Sequence, residues 1–444
     1  MATEKLRGSR RQVAAALAWS IGVAVVLAGC AGGGGDSGGG GEGTVSGELK
    51  ILVSSADASD AAFRAVNDAF SEKYPDVTVD FATVPNDTYP QSQSSRLTAA
   101  NVDIVVVKNL VKVPEYAKDS ESTDAQLAAA GGYVDLTDEP FMSNYNSSVL
   151  DAQAFDGKQF AVPTGLSYST GVYYNKQIFD DLGLSVPTTW SELTAAADTI
   201  KASGVSPFGI GGKDGWPAGL AMLSAANGVY PTLADKQDAA AAIWDGSLAL
   251  TDEGPVSVLE KTQTIFDYAQ PNFAGAGYAD IPALFASGSA AMTPDGTWNE
   301  PTIAAAVGDA FDYGYFPLPA SDDAADNASL NGKIELQLGV PASTKNKAAA
   351  LAWLEFFSDP DVYQDFVKTS GFSPAQPDID VSEFLDSITD YTADFELAWE
   401  QTWTPNAKAG QAATFPFDYV DLAPLGTMDA QQAAAAAAKA WVTP

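Results

Sequence analysis

No histidine occurs anywhere in the 444 residues, and cysteine occurs once, at position 30. Without histidine there is no Ser-His-Asp or Cys-His pair for nucleophilic catalysis and no imidazole-based zinc site; a single thiol leaves no thiolate metal site. What survives is carboxylate chemistry, such as the Asp/Glu pair of a glycosidase, or oxygen-only calcium binding. No DxDxDG-type loop is present, and the acidic stretch 321–326 reads as a solvated loop. Basic residues are scarce: 23 Lys and Arg stand against 57 Asp and Glu, a net charge of −34. Residues 1–29 hold four of the bases and one acid, so the remainder carries 19 against 56, or −37. Such a surface repels phosphate backbones and anionic headgroups, which disfavours nucleic acid and direct lipid binding. Long apolar runs are also missing. The stretch 13–27 is about 15 residues, short of the roughly 20 that span a bilayer, and nothing later is longer and as apolar.

What is there begins at the N-terminus. Lys5, Arg7, Arg10 and Arg11 precede that apolar stretch, and Leu27-Ala28-Gly29-Cys30 follows it. A basic region, an apolar region and a small-residue cleavage site make an export signal. The tetrad resembles the lipobox of bacterial lipoproteins. The resemblance implies cleavage before Cys30, a lipid on its thiol, and a mature protein tethered to the outer face of the cytoplasmic membrane. Ser9, Arg10 and Arg11 resemble a twin-arginine signal, which leaves the export route open. Residues 31–47 (AGGGGDSGGGGEGTVSG) are a flexible coil by composition, a leash between lipid and body. The expected division is therefore 1–29 signal peptide and 30–47 linker, with nearly 400 residues beyond, enough for two or three domains.

Residues 48–54 (ELKILVS) read as a buried strand. A helix over 58–74 follows, with Ala62, Val66, Ala69 and Phe70 on one face and Pro75 as its stop. An alternating strand over 77–84, a helix over 89–100 and a strand over 102–107 complete an α/β unit with a parallel sheet. Ligands of such sheets sit beyond the carboxyl ends of the strands. That directs attention to 54–57, 85–89 and 108–109, and within them to Asn86 and Asn109, which are also ordinary turn formers. A second α/β pattern starts at 171–174, with helices over 177–182 and 190–202, the latter capped by Thr or Ser before Glu192. A strand over 205–210, a helix over 216–227, helices at 256–269 and 346–358, a strand-like apolar patch at 334–340 and an Ala-rich helix at 428–442 complete the pass.

From Phe155 the sequence becomes specific. FDGKQFAVPTGLSYSTGVYYNKQIFDDLGLSVPTTWSEL (155–193) resembles the extracellular solute-binding proteins of ABC importers, and is most similar to the maltose-binding-like group that serves carbohydrate uptake. Three further blocks occur in the family's order: Gly215-Trp216-Pro217 before a helix ending Ala226-Asn227-Gly228; FASGSAAM (285–292) leading to Asp295-Gly296-Thr297-Trp298 and GYFPLP (314–319); and ASTKNK (342–347), followed by Gly371-Phe372-Ser373-Pro374.

The resemblance implies an α/β, two-lobed periplasmic-binding-protein-like fold, with hinge crossings and an interlobe ligand cleft. It places crossings near 163–169, 333–336 and 372–374. The expected lobes are 48–166 plus 336–373 and 169–333 plus 374–444. A sugar needs aromatic faces for its C–H surfaces and polar groups for its hydroxyls. The family's placements point to Tyr168 as a contact, with hinge packing as its alternative, to Trp298 as a stacking ring, and to Asn299 beside it. Trp216 opens a cleft-facing helix and Asp214 lies on the loop before it, whose residues vary with ligand. Glu335 is an acid inside an apolar run, either cleft-facing or salt-bridged. Phe372, Phe415 and Phe417 are further stacking candidates, whereas Trp190, Trp353, Trp399 and Trp403 sit at helical positions and read as packing. The implied partners are a sugar ligand and ABC permease subunits, with the membrane reached only through lipid, no cofactor, no catalysis and a monomeric state. Rival readings are a polyamine, betaine or metal chelate in the same cleft, a secreted carboxylate-pair glycosidase, and a partner-binding lipoprotein.

Overall fold

The computed structural model describes residues 45–441 apart from 55–56, 87, 109, 111–112, 114–117, 119, 394–395, 404–405, 407–408 and 410–415. Cys30, Asn109 and Phe415 thus lie outside the described residues. Eleven strands occur among those described: β1 Gly47–Ser54, β2 Val77–Val84, β3 Ile104–Val106, β4 Gly165–Tyr168, β5 Gly171–Asn175, β6 Ser206–Phe208, β7 Ala290–Pro294, β8 Tyr313–Pro317, β9 Asn331–Glu335, β10 Leu338–Gly339 and β11 Glu396–Leu397.

They form three sheets. The first, in order β10-β3-β1-β2, is built as its hydrophobic pattern requires. β1 buries Leu49 and Ile51 to Ser54 and pairs in parallel with β2 from Gly47↔Val77 to Ser54↔Val84. β3 runs parallel on its other side, and β10 closes the edge antiparallel. The connecting helices are α1 (Asp57–Lys73), which ends before Pro75, and α2 (Tyr89–Thr98), which has Pro90 in its first turn, where a missing N–H costs nothing. A core of β1–β3, α1 and two later helices, Lys347–Phe357 and Pro360–Ser370, covers this sheet. At its centre the Phe63 ring lies 4.9 Å from Phe366, and Trp353 stacks on Phe357 at 5.5 Å. Burying one such side chain contributes about 1.5–3 kcal/mol.

The second sheet, β6-β7-β5-β8, carries the other large core, drawn from residues between Val172 and Ala437. Helix Trp190–Ser203 opens with the expected cap: the Thr189 hydroxyl accepts from the Glu192 N–H at 3.3 Å, and Gly204 ends it at φ 93°. Trp399, Trp403 and Phe417, at 1, 5 and 0 % exposure, all belong to this core. Trp353 is fully buried in the other. Phe417 is therefore interior packing and offers no free ring.

The third sheet is small, β11-β9-β4. β4 runs antiparallel to β9 from Gly165↔Glu335 to Tyr168↔Gly332. Here the apolar patch at 334–340 departs from expectation. It is divided: β9 stops at Glu335, Leu336 takes φ 33°, and Leu338 and Gly339 join the first sheet instead. A single extended run could not serve two sheets. Among the described residues no helix is long and apolar enough to cross a membrane.

Candidate functional site

Three chain segments meet at the small sheet. Beside the β4–β9 pairing, Leu166 and Ser373 exchange backbone hydrogen bonds at 2.7 and 2.8 Å. Glycine permits the approach: a Cβ on Gly165 would lie 2.7 Å from the Phe372 Cβ, and one on Gly332 would overlap the Ser167 carbonyl.

On β9, Lys333 and Glu335 are two residues apart and so share a face. Lys333 Nζ lies 3.2 Å from Glu335 Oε1, which also accepts from the Ser167 hydroxyl at 2.5 Å. Glu335 is thus a salt-bridged acid, one of the two roles open to it. The Ser169 hydroxyl donates to Glu400 Oε1 at 3.1 Å, and Glu400 Oε2 is buried without a hydrogen-bond partner among the described residues. Burial pushes the Glu400 carboxyl above its ordinary range, with Lys333 opposing. Burial works against the Lys333 charge, but Glu335 and Glu400 outweigh it and hold the ammonium above the usual lysine value.

At the carboxyl ends of β2 and β3, Lys108 Nζ donates to Asn86 Oδ1 at 2.9 Å and lies 4.8 Å above the Tyr89 ring. Burial first, then the charge of Lys333, pulls the Lys108 pKa down to about 8, with Glu335 and Asp124 offsetting part of this. Asp124 holds the Lys108 backbone N–H at 2.7 Å. Asn86 and Lys108, at the ends of the first sheet, therefore belong to the same electrostatic neighbourhood as the Lys333–Glu335 pair.

The aromatic side comes from loops around the second sheet. Trp216 is 46 % exposed, its ring centre 4.5 Å from Tyr278 and 6.4 Å from Trp298. Trp298 is partly buried and packs against both large cores. Lys333 Nζ stands 5.2 Å from its ring centre. The indole N–H donates to the Tyr278 hydroxyl at 3.1 Å. Asp214 is exposed and fixes the same tyrosine from below, accepting its backbone N–H at 2.7 Å.

Tyr168, Asn299 and Phe372 turn inward. Tyr168 is 3 % exposed in a small cluster with Tyr173, Phe285 and Tyr315; burial pushes its phenol up to about 12. Asn299, 6 % exposed, donates to Asp295 Oδ2 at 2.6 Å. Phe372, 3 % exposed, packs 6.1 Å from Phe366 in the first core. The structure therefore brings together Asn86, Glu335, Trp298, Trp216 and Asp214, and adds Lys108, Lys333, Glu400, Tyr278 and Asp295. The Lys333–Glu335 spacing was a usable signal for one of these. Tyr278 lies in a Gly- and Ala-rich loop that carries none.

Residues 54–364 match the family model described as bacterial extracellular solute-binding protein. The chain belongs to this family. Among similar proteins, an uncharacterised ABC transporter extracellular-binding protein of Pyrococcus horikoshii is 27 % identical over 370 residues, 80 % of this chain and 78 % of that one. The multiple sugar-binding protein of Streptococcus mutans is 26 % identical over 255 residues, 55 % of this chain and 58 % of its own. In fold, this solute-binding protein is similar to RafE solved with raffinose (TM-score 0.69, 24 % identity, 88 % of this chain and 98 % of that one). It is also similar to the GacH receptor of Streptomyces glaucescens (TM-score 0.68, 20 % identity, 89 % and 97 %). The architecture is the two-lobed one of the periplasmic binding proteins.

Proposed function

We propose that this solute-binding protein captures a mono- or oligosaccharide between its lobes and delivers it to an ABC permease, catalysing nothing itself. The observation that carries the reading is the meeting of an aromatic surface (Trp216, Tyr278, Trp298) with the Lys333–Glu335–Glu400 group at the chain crossings. A pyranose can lay its C–H face on an indole while its hydroxyls reach donors and acceptors at the edge. Lys333 and Lys108 supply donors, and Glu335 and Asn86 supply acceptors. The sugar-binding relatives support the same class of ligand. A betaine or polyamine fits less well, since Lys333 already holds the cation position beside Trp298.

Residues 48–166 plus 336–373 and 169–333 plus 374–444 are the proposed lobes. Cleavage before Cys30 and acylation of its thiol are the proposed means by which an exported monomer stays beside its permease, through the 31–47 leash. Calorimetric titration with a panel of mono- and oligosaccharides tests the reading. Binding in the micromolar range or tighter is expected; silence across the panel with tight binding of another solute sinks the carbohydrate assignment. Mass spectrometry of the membrane-extracted protein, looking for a diacylated N-terminal Cys30, tests the anchor.

A further inference from the structure

Beneath the aromatic surface lies a buried carboxyl that no ligand can reach. Asp295 is 1 % exposed. Its Oδ1 accepts from the Gly296 N–H at 2.8 Å and the Tyr278 hydroxyl at 3.0 Å, and its Oδ2 from Asn299. The Tyr278 hydroxyl, having given its one proton to Asp295, offers its lone pair to the Trp298 indole N–H. Donors therefore run one way, from Trp298 to Tyr278 to Asp295. The indole lies over Gly296, where a Cβ would overlap its ring. Asp214 holds the backbone of Tyr278, and Tyr315 donates to the Asp295 carbonyl at 2.8 Å.

We propose that Asp295, acting through the Tyr278 hydroxyl, is a positioning residue that fixes the plane of the Trp298 ring for stacking. This rests on the reading of Trp298 as the ring that meets the ligand. An indole has one donor, so the acceptor it is given selects its rotation. A phenol alone could turn its proton either way; the carboxyl beneath, an acceptor only in its ionised form, removes that freedom once Asp295 has lost its proton. Keeping a charge in such a place is costly, and burial accordingly pushes the Asp295 carboxyl up to about 7. The titratable groups packed against it are the phenols of Tyr173, Tyr278 and Tyr315. Burial holds each well above the ordinary phenol range, so all three stay neutral.

The test has one arm that needs no ligand. In protein labelled with 15N-tryptophan, the Trp298 indole signal is assigned with Trp298→Phe, and its N–H exchange is followed in wild type, Tyr278→Phe and Asp295→Asn. Exchange about tenfold faster is expected in Tyr278→Phe, with a smaller rise in Asp295→Asn and no change at buried Trp353. An unchanged rate in Tyr278→Phe overturns the proposal, whatever the ligand is. The second arm titrates maltose, raffinose and stachyose. For a probe that binds, Tyr278→Phe is expected to weaken affinity about fivefold, but less than about twofold in a Trp298→Ala background. Equal losses in both backgrounds overturn the positioning role. If none of the three binds, the sugar reading is what suffers, and the exchange arm still decides the proposal.

Discussion

A single ring, Trp298, carries most of the proposed ligand contact. Trp298 touches both cores and offers its remaining surface beside Lys333. Trp298→Ala is expected to cost about 1–3 kcal/mol of ligand affinity, read by calorimetry; unchanged affinity would remove it from the site. Asp295 makes a second prediction, this time for stability. Its folded-state pKa of about 7 stands above the ordinary 3.8, so the native state holds the proton more tightly than the unfolded one. Its contribution is fully present below about pH 4 and is lost as pH rises through about 7, amounting to about 4 kcal/mol at most. Unfolding free energy from urea titrations should therefore fall between pH 5 and 8, and fall less steeply in Asp295→Asn. Asp418, raised to about 6 by burial and by Asp421, acts in the same direction and leaves a residual slope. Much of this scale was hidden from sequence. Tyr168 and Phe372 are aromatic and next to the crossings, yet their rings point into packing, and only coordinates distinguish an inward ring from an outward one.

The elements were more readable, and for a physical reason. β1 carries a continuous apolar run, β2 an alternating one and α1 a 3.6-residue period, each over several residues, so their ends were legible to within a few positions. β9 and β10 were not, because two short strands serving different sheets look like one apolar run when a single residue, Leu336, makes the turn. The crossing sheet also depends on backbone contact that no hydropathy pattern encodes. Gly332→Ala drives a Cβ into the Ser167 carbonyl, an overpacking expected to cost about 1–3 kcal/mol. Urea unfolding should show the loss, and sugar affinity should fall with it, since the same strand carries Lys333 and Glu335. Gly183→Ala makes a useful contrast. Nothing lies within 4 Å of its Cβ position and its φ is 67°, so a modest backbone cost is expected with affinity retained.

At the scale of the whole molecule, charge dominates. With −37 beyond residue 29, self-repulsion opposes the compact state, and added salt screens it. The melting temperature is expected to rise between about 10 mM and 200 mM sodium chloride, where the Debye length falls from about 30 Å to below 10 Å. A flat response would mean that the acids are locally compensated. Ligand should add its own increment of about 2.7 kcal/mol at a hundredfold excess over Kd.

The interleaving of the first core has a consequence for the birth of the protein. Phe63 and Phe70, near the start of the chain, pack against Trp353, Phe356, Phe357 and Phe366, close to its end. A ribosome that has made 300 residues has therefore made a first core with one wall missing. Counted from Phe70 to Phe366, synthesis at roughly 5–20 residues per second leaves it open for tens of seconds. During that interval the leading half has no finished core to lock, and its apolar faces wait for partners that have not yet been made.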